Sequence, residues 1–118
     1  MPDDDFDAIK LKLREFAQER DWEKFHSPKN LAMALVSEVG ELIERFQWLT
    51  EEQSGALSGE ELAKVGEEIA DVQIYLIRLA DRLGLDIVKE AQRKMAANEK
   101  KYPAELVRGS AKKYSEYE

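Results

Sequence analysis

Cysteine is absent from the 118-residue chain, which excludes a disulfide scaffold and any thiolate metal site and fits a reducing cytosol. Proline and glycine are scarce, at three and six residues, so regular backbone is interrupted at few places. No apolar run is long. The longest, Leu31 to Val36, falls far short of the roughly 20 residues that a membrane helix needs. Basic residues are in deficit, 18 against 25 acids, and the net charge of −7 argues against a duplex nucleic acid partner. The opening Met1-Pro2-Asp3-Asp4-Asp5 is acidic where a secretion signal would be basic. These absences lead to the expectation of one soluble, cytoplasmic domain without a membrane partner. A domain of this size buries about two-thirds of its unfolded surface, so its stability is modest unless subunits share a core.

What is present is helical pattern. Phe6, Ile9, Leu13 and Phe16 recur at helical spacing and predict a first helix from about Asp5 to Glu19. A loop through Trp22, Phe25 and His26 leads to Ser27-Pro28, a cap followed by proline at the first helical position, opening a second helix to about Trp48. Polar Thr50 to Gly59 is expected to be the main loop. Ser58 and Glu61 form a capping-box pattern for a third helix, which runs to Leu83 and stops at Gly84. Asp86 caps a fourth, ending at Lys101 before Pro103. A domain over residues 1–102 is therefore expected, with an extended, partly mobile tail over 103–118. No strand pattern competes, and the fold class is all-α.

Charge is unevenly placed. Ten acids and two bases lie between Glu38 and Asp71, whereas eight bases and three acids lie between Lys89 and Lys113. That asymmetry suits a site holding cations at one end and an anionic substrate at the other, although helix surfaces are commonly charged. Two carboxylate pairs stand out. On a helical wheel Glu38 falls among Leu31, Leu35 and Leu42, with Glu41 at the edge of the same face. Glu68 falls in the stripe of Val65, Val72, Leu76 and Leu79, with Asp71 three residues on. An isolated buried carboxylate costs several kcal/mol, so each must be neutralised, paired or metal-bound. A helix ion pair of Glu41 with Arg45 is the ordinary reading of one acid. Local bases are too few for all four, and two E-x-x-(E/D) pairs of hard oxygen donors suit magnesium or manganese. A di-iron bundle needs two E-x-x-H motifs, and the sole histidine, His26, lies in neither position.

Lys94, Asn98 and Lys101 share a face of the fourth helix at i, i+4 and i+7, as phosphate donors or as a solvated basic face. Trp22 and Trp48, near helix ends, serve either base stacking or core packing. Tyr75 lies close to Glu68 and Asp71 on its wheel. His26 reads better as a loop brace than as a general base. Gly40 and Gly66, inside helices, point either to close helix approach or to glycines that are simply tolerated there. Ile74 and Ile77 fall opposite Val72 and Leu79, leaving the second half of the third helix apolar nearly all round and predicting a homo-oligomer.

Taken in order, Glu19-Arg20-Asp21-Trp22, Phe25-His26, Pro28 with Asn30-Leu31, Ser37-Glu38-Val39-Gly40-Glu41-Leu42, Phe46-Gln47-Trp48, Glu68 with Asp71-Val72, Ile74-Tyr75-Leu76, Lys94-Met95, Asn98 and Tyr102-Pro103 resemble the MazG-like all-α nucleoside triphosphate pyrophosphatases, and among them the dCTP pyrophosphatases. The resemblance implies a four-helix bundle completed by oligomerisation, as a tetramer, and hydrolysis of a deoxynucleoside triphosphate to monophosphate and pyrophosphate. It also implies that Glu38, Glu41, Glu68 and Asp71 hold magnesium and supply the catalytic carboxylates. Trp22, Trp48 and Tyr75 would line the base and sugar pocket, and Lys94, Asn98, Lys101 and Tyr102 would meet the phosphates. Leu13 departs from the pattern of an animal relative, which has a histidine there near the nucleotide, so the base preference is the point at issue. The competing readings are a relative acting on dUTP or a phosphoribosyl nucleotide, and a non-catalytic helical interaction module.

Overall fold

The computed structural model describes residues 5–110 and contains helices and turns, with no strand among the described residues. Helix α1 spans Phe6–Glu19, α2 Pro28–Glu44, α3 Glu51–Ser54, α4 Gly59–Arg82, α5 Ile87–Lys101 and α6 Ala104–Val107. The chain divides into two compact units, one ending at Leu85 and the other beginning at Asp86.

The local punctuation follows the sequence. Side chains of Asp5, Ser27, Ser58 and Asp86 accept the backbone N–H three residues on, each satisfying a donor that a helix start leaves orphaned. Gly84 takes φ +72° after α4, a left-handed conformation that glycine adopts without a Cβ clash. Three expectations need correction. Helix α2 ends at Glu44 rather than near Trp48, because Arg45, Phe46 and Leu49 donate to carbonyls three residues back and tighten the chain into turns. The expected loop after Thr50 contains α3, opened by a reciprocal capping box between Thr50 and Gln53. The tail is not extended throughout: α6 follows Pro103, while residues 111–118 lie outside the described residues.

In the first unit α4 packs against α2 and, more sparingly, against α1. Ala17, Leu31, Val65 and Ile77 are the fully buried apolar residues. The α4 stripe drifts from its expected course: Val65, Val72 and Leu79 turn inward, but Leu76 is exposed and Ile77 is buried in its place. Contact with two helices in succession accounts for the drift, since the buried face must rotate from one neighbour to the other. Close helix approach does not explain Gly40 or Gly66, because a Cβ on either meets nothing within 4 Å in this chain. The second unit consists of α5 and α6, and none of its described residues is fully buried.

Candidate active site

The α2–α4 pairing brings both acid pairs together. One carboxylate oxygen from each of Glu38, Glu41, Glu68 and Asp71 lies within 4.8 Å of the others. Glu38 and Glu68 are half-buried, whereas Glu41 and Asp71 reach the surface. Compensation is slight. The Nη2 of Arg45 stands 3.5 Å from Glu68 Oε1, across the helix pair rather than beside Glu41 as the i, i+4 spacing suggests. Glu38 Oε2 and Glu68 Oε2 are buried without a hydrogen-bond partner among the described residues. Glu38 is pushed up to about 7 by a hydrogen bond shared with Glu41, by burial, and by the charges of Glu41, Asp71 and Glu68. Orphaned, buried, hard oxygen atoms beside two further carboxylates suit a divalent cation, and the donor set fits one. All four acids are placed to hold it.

Asp71 also faces a cavity of about 340 Å³, within the range of small-ligand sites. Trp22 and Tyr75 line it, together with Phe16, Leu13, Leu31, Ile74, His26 and Arg78. The Trp22 indole meets the Phe16 ring edge-on at 5.7 Å and the His26 ring at 6.5 Å, leaving it 44% exposed. Trp48 is 86% exposed in the turns after α2 and is not part of this cavity wall. Lys94, Asn98 and Lys101 lie along α5, and Tyr102 follows as its C-cap, all within the second unit.

Behind the cavity lies a second charge cluster, which sequence reasoning missed. Arg78 Nε donates to His26 Nδ1 at 3.2 Å, and Arg78 Nη1 to Asp81 Oδ2 at 3.5 Å. Arg14, on α1, donates bidentately to Asp81 at 2.7 and 2.6 Å. Arg82 Nε donates to the His26 carbonyl at 3.1 Å, tying the loop before α2 to α4 through its backbone. Burial, then the charges of Arg78 and Arg82, holds the imidazole below its ordinary range, with Glu23 opposing. The hydrogen bond to Arg14 holds Asp81 low against burial. A signal was available: Arg78 stands in the apolar second half of α4, three residues before Asp81, as conspicuous there as Glu68 is nearer the N-terminus.

Several known proteins share this chain's pattern. Human dCTP pyrophosphatase 1 is 47% identical over 117 residues, covering 98% of this chain and 69% of its own length. The bovine dCTP pyrophosphatase 1 is 51% identical over 104 residues, covering 86% of this chain and 62% of its own length. The crystal structure of a pyrophosphatase from Archaeoglobus fulgidus DSM 4304 superposes with a TM-score of 0.78 at 42% identity, covering 82% of this chain and 91% of that one. The family model described as MazG-like matches residues 33–117, a stretch that includes all four clustered acids. With relatives this similar along nearly its whole length, the all-α chain belongs to the MazG-like family.

Proposed function

We propose that this protein is a magnesium-dependent nucleoside triphosphate pyrophosphohydrolase that converts dCTP, or a modified dCTP, to dCMP and pyrophosphate in the cytosol. One observation carries the reading. Asp71 belongs both to the carboxylate cluster and to the wall of the aromatic cavity, so a cation-bound phosphate chain and a base are provided for side by side. The dCTP pyrophosphatase relatives support the choice of nucleotide.

Glu38, Glu41, Glu68 and Asp71 would hold the metal, which supplies charge neutralisation and Lewis acidity toward a triphosphate when bound, magnesium suiting oxygen donors and manganese being the alternative. Trp22 and Tyr75 clasp the base and sugar. A water attacks the α-phosphorus in line, a bond to the leaving pyrophosphate oxygen breaks, and a site carboxylate takes the water's proton. Lys94, Asn98, Lys101 and Tyr102 are assigned to the phosphates, because α5 presents its amide and ammonium donors on one face. Exposed Trp48 completes the set as a further stacking surface.

The active form is a homo-oligomer, most simply a tetramer. Val36, at 72% exposure, and Met33, Leu62 and Ile69 leave apolar surface on the two site helices, which a second copy would cover. No helix among the described residues is long and apolar enough to cross a membrane. The direct test is a panel of deoxynucleoside triphosphates with magnesium, scored for monophosphate and pyrophosphate. Preferential release of both from dCTP is expected. Orthophosphate release, or no turnover, overturns the assignment. Sedimentation of a compact 13.6 kDa monomer at micromolar concentration would overturn the oligomer.

A further inference from the structure

The cavity wall holds one group that the proposed reaction leaves unused. Arg78 is only 5% exposed, yet it lines a cavity whose other walls are mostly aromatic or aliphatic. A guanidinium carries five N–H donors in a rigid plane and no acceptor. Two of its nitrogens are committed, Nε to His26 and Nη1 to Asp81, whereas Nη2 makes no hydrogen bond among the described residues. Nη2 is not among the buried atoms left without a partner, so it is open to the cavity that Arg78 lines, where an acceptor on a bound molecule can take the place of water. His26 and Asp81 grip the guanidinium through different nitrogens, and the bidentate Arg14 contact holds Asp81 in turn, so the plane of Arg78 is fixed in advance.

We propose that Arg78 is a specificity-determining residue whose Nη2 donates to the paired ring acceptors of cytosine, O2 and N3, with His26 and Asp81 as positioning residues. The inference rests on the nucleotide reading above. With the triphosphate directed to the carboxylates beside Asp71, the base lies at the Trp22, His26 and Arg78 end of the same cavity. Uracil and thymine carry a hydrogen at N3, so the rigid donor meets another donor there. Arginine has no means of reversing that polarity. Sites built to hydrogen-bond a particular edge discriminate strongly for this reason, because the mismatched partner leaves a buried group unpaired.

The test begins on the substrate side, where folding is not at risk. The unaltered protein is assayed with magnesium on dCTP, dUTP and the 3-deaza analogue of dCTP, in which C–H replaces N3. Loss of the acceptor should lower kcat/KM about 10- to 100-fold, the size of a hydrogen bond to a charged donor, and mainly through KM. The variant Arg78→Met, checked for folding by its melting curve, should treat dCTP and its 3-deaza analogue alike. The inference is overturned if the unaltered protein handles the two with equal kcat/KM, or if folded Arg78→Met still separates them. A protein that turns over no deoxynucleoside triphosphate overturns the nucleotide reading itself. Turnover of dCTP with indifference to N3 leaves that reading standing and removes only the role of Arg78.

Discussion

The two charge clusters of the first unit lie along the same helix, α4, and differ in how their charge is met. Around Asp81 the carboxylate is met by opposite charge. Arg14 and Arg78 both reach the carboxylate, and His26 accepts from Arg78. Around Glu68 four carboxylates converge, and among the described residues only Arg45 approaches, at 3.5 Å. A cluster whose carboxylate is so met returns part of its desolvation cost within the fold. An unbalanced one leaves oxygen atoms orphaned and raises a carboxyl's proton affinity, as with Glu38. Position inside an apolar stripe thus marks a charge out, and the opposite charge around it separates a carboxylate met within the fold from a group left open to a cation.

The largest expected effect breaks the unbalanced cluster. Glu38→Gln and Glu68→Gln each keep shape and remove a charge from a crowded group. Activity should fall by at least about 100-fold, as the loss of several kcal/mol of metal-ion catalysis requires. Folding without metal should be unharmed, and the melting temperature slightly raised, because like-charge repulsion is relieved. The rise in melting temperature that magnesium gives the parent should vanish, since a ligand stabilises only through its binding to the native state. Melting curves with and without magnesium, run beside the pyrophosphate assay, check all of this. Variants destabilised without metal but fully active would show that the acids are structural.

Asp81→Asn should do the reverse. It removes the partner of Arg78, leaving a buried cation uncompensated, and should cost about 2–3 kcal/mol, at the lower end for a buried pair because Arg14 is partly solvated. The loss should be the same with and without magnesium. Urea denaturation at both conditions measures it. A variant of unchanged stability would show that solvent already screens the cluster.

These regions were unequally legible in the sequence. Glu38 and Glu68 were found because helical periodicity places them among leucines and valines, and family resemblance then joined them across α2 and α4. The caps at Asp5, Ser27, Ser58 and Asp86 are local chemistry and could be read directly. Arg14 and Asp81 lie 67 residues apart, and no local rule pairs them. The capping box at Thr50 and Gln53 went unread because the two glycines that follow it, Gly55 and Gly59, marked the stretch as loop. The place of Ile77 in the core depends on which neighbour α4 meets at each turn, which is tertiary information.

The two clusters should also oppose each other in pH dependence. Glu38 is pushed up to about 7, so without metal the native state binds a proton more tightly than the unfolded chain does. Stability from this group is therefore present in the acid range and is lost as pH rises from about 4.3 toward 7. Asp81 is held low by Arg14, so its contribution is full above about 3.9 and is lost only as pH falls below that. Melting of the metal-free protein should thus decline gently between pH 5 and 7, as about the span of the Glu38 titration. Glu38→Gln should abolish that decline, and Asp81→Asn should leave it in place. A decline that persists in Glu38→Gln would assign it to other groups.

The smallest effects come from one glycine beside each cluster. Gly66 lies on α4 two residues before Glu68, in helical backbone, where a Cβ meets nothing within 4 Å of this chain. Gly66→Ala should therefore gain up to about 1 kcal/mol from helix propensity. Gly84 follows Asp81 by three residues and holds φ +72°, so Gly84→Ala should lose about 1–2 kcal/mol although space is open there too. The pair separates backbone strain from crowding, since both sites are empty and only one is strained. It also reports on the oligomer. If a second copy covers the acid end of α4, the alanine at position 66 intrudes on that interface, and its predicted gain turns into a loss that grows with protein concentration. Denaturation of Gly66→Ala at two concentrations a hundredfold apart decides this. A concentration-independent gain would mean that the face around Gly66 is free.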